Sequence, residues 1–244
     1  MSHAALSVEF VGMPASGKSA LSHRVAEILT AGGVGVEQPS WVLAHDISYP
    51  ARWMRKSAIV GTRMARRPGD LLETVGAIRA TSQYSGMDTM RMTFNWLLVR
   101  ALMERPRVAG SVRLFDQCVL QALWSIGLGG KAGAITQMAR HLDGAIPIPD
   151  VVVFVTASPG AVRRRLELRP GQDSRIERRL SGRKDEAILE RGTALFEEVI
   201  RVAGEWRKDH GVPVVVDVVN DWDDGLDRTA SMLAARLQLL FTPR

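Results

Sequence analysis

Eight residues near the start of the chain, Gly12-Met13-Pro14-Ala15-Ser16-Gly17-Lys18-Ser19, can do chemistry through their types and spacing. They fit G-x-x-x-x-G-K-[ST], and each position has a physical task. Gly12 and Gly17 permit tight, partly left-handed turns that aim successive backbone N–H groups inward. A helix opening near Lys18 adds the positive end of its dipole. The Lys18 ammonium reaches the β- and γ-phosphates of a nucleoside triphosphate, and the Ser19 hydroxyl is a hard oxygen ligand for Mg2+. Met13, Pro14, Ala15, Ser16 and Ala20 supply the rest of the cradle. The octet predicts a bound nucleoside triphosphate with Mg2+.

Such a loop works only between a strand and a helix, and the hydrophobic pattern supplies both. Residues 8–11 form a short apolar run, the mark of a buried strand. Leu21, Val25, Ile28 and Leu29 then recur at helical spacing until Gly32-Gly33. Residues 34–36 read as a second strand, stopped by Pro39. Residues 51–105 read as mostly helical, with breaks near Arg67-Pro68-Gly69 and Tyr84-Ser85-Gly86; the strongest stretch is FNWLLVRALM at 94–103. VRLF at 112–115 is a third strand, with a helix from 119 to 126 behind it. GLGGKAG at 127–133 reads as a flexible join. DVVVFVT at 150–156 is a fourth strand, 161–168 a helix, 212–219 a fifth strand and 227–240 a final helix. Strands alternating with helices predict an α/β chain whose parallel sheet is covered on both faces, in one domain over 1–244.

Composition narrows the function classes. Hydrophobic residues at 46% and charged residues at 24% exclude a disordered chain. The longest apolar runs are strand-length, too short to cross a bilayer. The opening MSHAALSVEF lacks the basic start and apolar core of a secretion signal, and the single cysteine, Cys118, suits a reducing compartment, so a cytoplasmic location is expected. The net charge is +6, and 27 of the 32 basic residues are arginine. Arginine's planar fork grips phosphate at two points, so the position of the arginines matters more than their number.

In order along most of the chain, these motifs resemble the P-loop small-molecule kinases, and within them the thymidylate-kinase and nucleoside-kinase group. The second matching element is VRLFDQCVLQALWS: a strand ending in Asp116, then Gln117, with Gln121, Ala122 and Trp124 on the helix behind. The thymidylate kinases end this strand in Asp-Arg, so Gln117 is a departure. The resemblance implies that Asp116 orients Mg2+ or accepts the acceptor's proton, with Gln117 beside the substrate. It implies a sheet order of 2-3-1-4-5 and a helical, arginine-rich lid over 163–191. Arg163, Arg164, Arg165 and Arg169 precede Pro170-Gly171, and Arg175, Arg178, Arg179 and Arg183 follow it. Arg175 and Arg179 lie one turn apart and are the pair expected to stabilise charge on the moving phosphoryl group.

On the acceptor side the resemblance implies Glu37, in the segment VEQPSWVLAHDIS, with Asp46 as a rival for the same role. Arg91 and Asn95, one turn apart before the third strand, are implied as further acceptor ligands. Asn220 falls in the loop that touches the adenine in these kinases. Asn220-x-x-Asp223 also matches part of the guanine-reading element of GTPases, without its lysine. The resemblance implies a homodimer through helices near 94–103. Trp53, Tyr84, Phe94 and Trp96 sit at helical spacing and read as core.

The expected activity is transfer of the γ-phosphoryl group of ATP to a small acceptor, a nucleoside monophosphate or nucleoside. A sugar or other small alcohol stays open as acceptor. So does a nucleotide switch or ATPase that answers to a macromolecular partner. The pI near 10 raises nucleic acid as a ligand. The arginines cluster where a lid belongs instead of interleaving with aromatics along a groove, which argues against it.

Overall fold

Side chains alternate along LSVEFVG, so this strand sends Val8 and Phe10 to one face and Glu9 and Val11 to the other. The whole molecule is built on that division. In the computed structural model, which describes residues 5–45, 48–141, 147–167, 185–221 and 225–241, five strands form one sheet. They are β1 (Leu6–Gly12), β2 (Gly35–Glu37), β3 (Ser111–Phe115), β4 (Val151–Thr156) and β5 (Val214–Val219). All pairings are parallel and the order is β2-β3-β1-β4-β5. β1 and β4 are buried on both sides, which is why they read as continuous apolar runs.

The face carrying Val8, Phe10, Leu114, Val153 and Val216 packs on α1 (Lys18–Ala31) and on the last helix, α10 (Leu226–Phe241). The face carrying Val11, Phe115, Val152 and Phe154 is covered by the remaining helices that build the second half of the core. These include α3 (Tyr49–Arg66), α4 (Gly69–Ala80) and α5 (Gly86–Met103). Below them lie α6 (Val119–Gly129), α7 (Ala134–His141) and α9 (Asp185–His210). Two further helices, α2 (Pro39–His45) and α8 (Pro159–Glu167), follow β2 and β4. Three layers result: helices, sheet, helices.

Boundaries read from the sequence hold closely, including both breaks in the 51–105 stretch. Elsewhere the structure corrects the reading. Residues 127–129 extend α6, and Gly127 packs directly on the Ile135 and Leu195 side chains, so part of the expected join is a packed helix end. α2 occupies the segment after β2, to which the sequence reading assigned no element, with Pro39 at its first position, where a missing N–H costs nothing. Of the aromatics read as core, Trp96 is 1% exposed, whereas Trp53 and Tyr84 are about half exposed. The apolar residues of 94–103, expected at a dimer contact, largely serve the chain's own core: Trp96, Leu97, Leu98, Leu102 and Met103 are all buried. No described helix is long and apolar enough to cross a membrane.

Candidate active site

The octet lies between β1 and α1, at the carboxyl edge of the sheet. Ala15 (φ +63°) and Gly17 (φ +86°) are left-handed on either side of Ser16, a geometry that gathers backbone N–H groups into a concavity. Ser16 N–H closes the turn on the Met13 carbonyl at 3.1 Å. No side chain caps α1, and its first turn holds no acid, so its positive end is not neutralised locally. Lys18 Nζ lies 3.5 Å from the Met13 carbonyl, folded over the loop. Ser16 Oγ is buried without a hydrogen-bond partner.

Two glycines are demanded by contact. A Cβ on Gly12 would strike Ser16 Oγ and the Val155 carbonyl, both at 2.5 Å. One on Gly17 would collide with the Asn220 amide, on top of a backbone that only glycine adopts without cost. That amide braces the loop: Asn220 Nδ2 donates to the Ser16 carbonyl at 2.8 Å, while its own N–H is tied to Thr156. Arg165, on α8, adds a second brace, donating to the Asn220 carbonyl at 2.9 Å and reaching the Ser16 carbonyl at 3.4 Å. Asn220, expected beside the adenine, is thus buried beneath the loop. Arg165, expected on a lid, instead donates to the loop's backbone.

A third brace comes from the neighbouring strand and helix. Gly12 N–H donates to Gln121 Oε1 at 3.2 Å. Glu9 points to the same side and accepts the N–H groups of Leu120 and Gln121 at 3.1 and 2.9 Å, capping the start of α6. Complete burial pushes the Glu9 carboxyl up to about 7, although four backbone N–H groups around it favour the charged form.

Next to the loop, β3 ends in Asp116, which is buried and whose Oδ1 has no hydrogen-bond partner. It lines a cavity of about 130 Å³ with Lys56, Asn95, Gln117, Gln121 and Ser125. Ser40, from α2, fixes this strand end by accepting the Asp116 N–H at 3.3 Å. Burial lowers the Lys56 pKa, nearby Arg52 lowers it further, and Asp116 opposes both. Trp53, one turn before Lys56, packs on Phe94 with ring centroids 5.7 Å apart.

Of the residues read from the sequence, the structure therefore brings Asp116, Gln117 and Asn95 to one cavity. Arg91 is exposed one turn before Asn95. Glu37 is held by Arg113 in an ion pair at 2.7 Å and does not line the cavity, because the two residues are register partners on β2 and β3. Asp46, Arg175, Arg179 and Asp223 lie outside the described residues. Sequence reasoning missed Lys56, Ser40 and Glu9. Two of these left a signal: Lys56 is one of only five lysines in an arginine-rich chain, and Glu9 is the single charge in an apolar strand.

No protein-family model matches the chain, and no curated protein matches it in sequence. Among solved structures, it is similar to a thymidylate kinase from Ehrlichia chaffeensis, with a TM-score of 0.51 and 12% identity. The match covers 96% of this chain and 99% of that one. The fold is the P-loop fold of the thymidylate kinases. The match extends from end to end, so the likeness is one of whole architecture and not of the phosphate loop alone.

Proposed function

We propose that this protein is an ATP-dependent phosphotransferase that moves the γ-phosphoryl group to a small acceptor, a nucleoside monophosphate or nucleoside. The observation that carries this reading is Asp116, buried with its Oδ1 unpartnered and lining a small cavity, at the end of the strand that pairs with the octet's own strand. A buried carboxylate oxygen without a partner costs free energy, and a hydroxyl or metal-bound water entering the cavity removes that cost.

The loop fits a triphosphate by its own features: the orphaned Ser16 Oγ, the left-handed residues around it and the uncapped start of α1. Lys18 and the loop amides hold the phosphates. Ser19 and Asp116 are the oxygen ligands that would hold Mg2+, which when bound neutralises charge on the phosphates. In this reading Asp116 also accepts the acceptor's proton, and the half-buried Lys56 beside it supplies positive charge. Arg175 and Arg179 are proposed to close over the transferring group. At about 130 Å³ the cavity is well below the several hundred typical of ligand pockets, so it takes the reacting end of the acceptor. Asn95, Gln117 and the Trp53–Phe94 pair are proposed to contact the rest.

Release of ADP from MgATP, measured against nucleosides, nucleoside monophosphates, sugars and amino alcohols beside Lys18→Ala, tests the reading. Strong stimulation by one acceptor class, abolished in the variant, is the expected result. Slow hydrolysis that ignores every acceptor would favour a nucleotide switch instead.

A further inference from the structure

Between residues 49 and 67 the chain carries six cations and no acid. Only Lys56 among them reaches the Asp116 cavity. Arg55, Thr62 and Arg66 recur along one face of α3, and that face walls a different cleft of about 850 Å³. Its other wall comes from the end of α5 and residues 104–107, just before β3 begins. The phosphate loop and Asp116 follow the other ends of β1 and β3. In a parallel sheet the five residues of β3, at about 3.3 Å each, separate the two ends by roughly 16 Å.

The charges in this cleft fall into two groups. Arg63, at its back, is buried and paired with Asp70 at 2.5 Å and with Glu104; Arg107 is paired with Asp150 at 2.7 Å. Arg55, Arg66, Arg67 and Arg105 are exposed and have no acidic partner among the described residues. Four unneutralised guanidinium groups around one concavity focus a positive field into it, and each offers the two-pronged geometry that phosphate accepts. Between them, Ala58, Ile59, Ala101, Met103 and Pro106 form an apolar floor. The volume lies within the range of small-ligand sites. No aromatic side chain lines the cleft, and the charge is gathered rather than strung out, unlike a nucleic-acid groove.

We propose that this cleft is a second anion site, separate from the phosphate loop, that binds a small molecule with two or more phosphate charges and an apolar part, such as a nucleoside diphosphate. Cleft binding holds whether or not the phosphate loop serves a kinase. The test is titration of the full chain with methylanthraniloyl-ADP, using wild type, Lys18→Ala, Arg66→Glu/Arg67→Glu and the triple variant. The wild type is expected to bind two equivalents, Lys18→Ala and the double variant one each, and the triple variant none. Inorganic tripolyphosphate should displace the equivalent retained by Lys18→Ala, and the double variant should weaken that equivalent roughly a hundredfold. Both charge-reversed residues are exposed, so an unchanged melting temperature checks that the fold survives. A single equivalent on wild type, lost entirely in Lys18→Ala, would overturn the proposal. So would displacement of the cleft probe by oligothymidylate but not by tripolyphosphate, which would assign the surface to nucleic acid.

Discussion

At Gly17 a single methyl group meets two obstacles at once: a φ of +86° and the Asn220 amide that holds the Ser16 carbonyl. Gly17→Ala is therefore expected to lower stability by about 1–2 kcal/mol from backbone strain alone. It should also lose nucleotide binding, because either the loop or its brace must move. Thermal melting with and without MgATP reads both effects; a ligand-induced rise in Tm equal to wild type would contradict the account. Glu9 makes a different prediction. Its carboxyl, at about 7 in the fold against 4.5 ordinarily, holds a proton more tightly folded than unfolded. The stability it contributes is thus full below pH 4.5 and is lost as pH rises through about 7. The Tm of wild type minus that of Glu9→Gln should shrink between pH 5 and pH 8, on the order of the unfolded and folded values. Parallel Tm–pH curves would show that burial does not raise this group.

At the scale of elements, α6 joins the two halves of the site. Its first N–H groups rest on Glu9 of β1, and its Gln121 side chain lines the Asp116 cavity while accepting the Gly12 N–H. Gln121→Ala would leave that buried N–H without a partner, a loss of about 1–3 kcal/mol. Affinity for MgATP should fall together with acceptor affinity, and steady-state KM values for both substrates measure it. A change confined to the acceptor would mean that the helix does not couple the two. The contrast between loop and braces also explains what the sequence could tell. The octet is contiguous and its glycine and lysine positions are those that phosphate binding would demand, so spacing alone exposes it. Its supports are not contiguous: Asn220 meets Ser16 across 204 residues and Gln121 meets Gly12 across 109. Lys56 reaches the cavity only because α3 folds against α5, and nothing in its neighbours announces that. Glu37 illustrates the converse. The resemblance implied a place for it beside the acceptor, yet it ends β2 and strand register pairs it with Arg113.

At the scale of the molecule, the five-stranded order β2-β3-β1-β4-β5 sets β1 and β3 side by side, so their carboxyl ends present the phosphate loop and Asp116 together. That order was legible only through the resemblance to the P-loop kinases; the alternation of short apolar strands with helices by itself predicts a parallel sheet covered on both faces. The packing of α9 over the phosphate loop was not legible: Gly192 lets the Met13 side chain approach, and its carbonyl accepts the Trp124 indole N–H at 2.9 Å. The proposed transfer to an acceptor requires the octet, a buried carboxylate and a small cavity to be set at one edge of the sheet. The most direct measurement of that claim follows the γ-phosphorus of ATP by phosphorus NMR, with the best acceptor from the panel, for wild type and Asp116→Asn. The account predicts that the phosphorus appears on the acceptor, and that the variant slows transfer by about 10²–10⁴-fold while still binding MgATP. Inorganic phosphate as the main product, or transfer unaffected by Asp116→Asn, would contradict it.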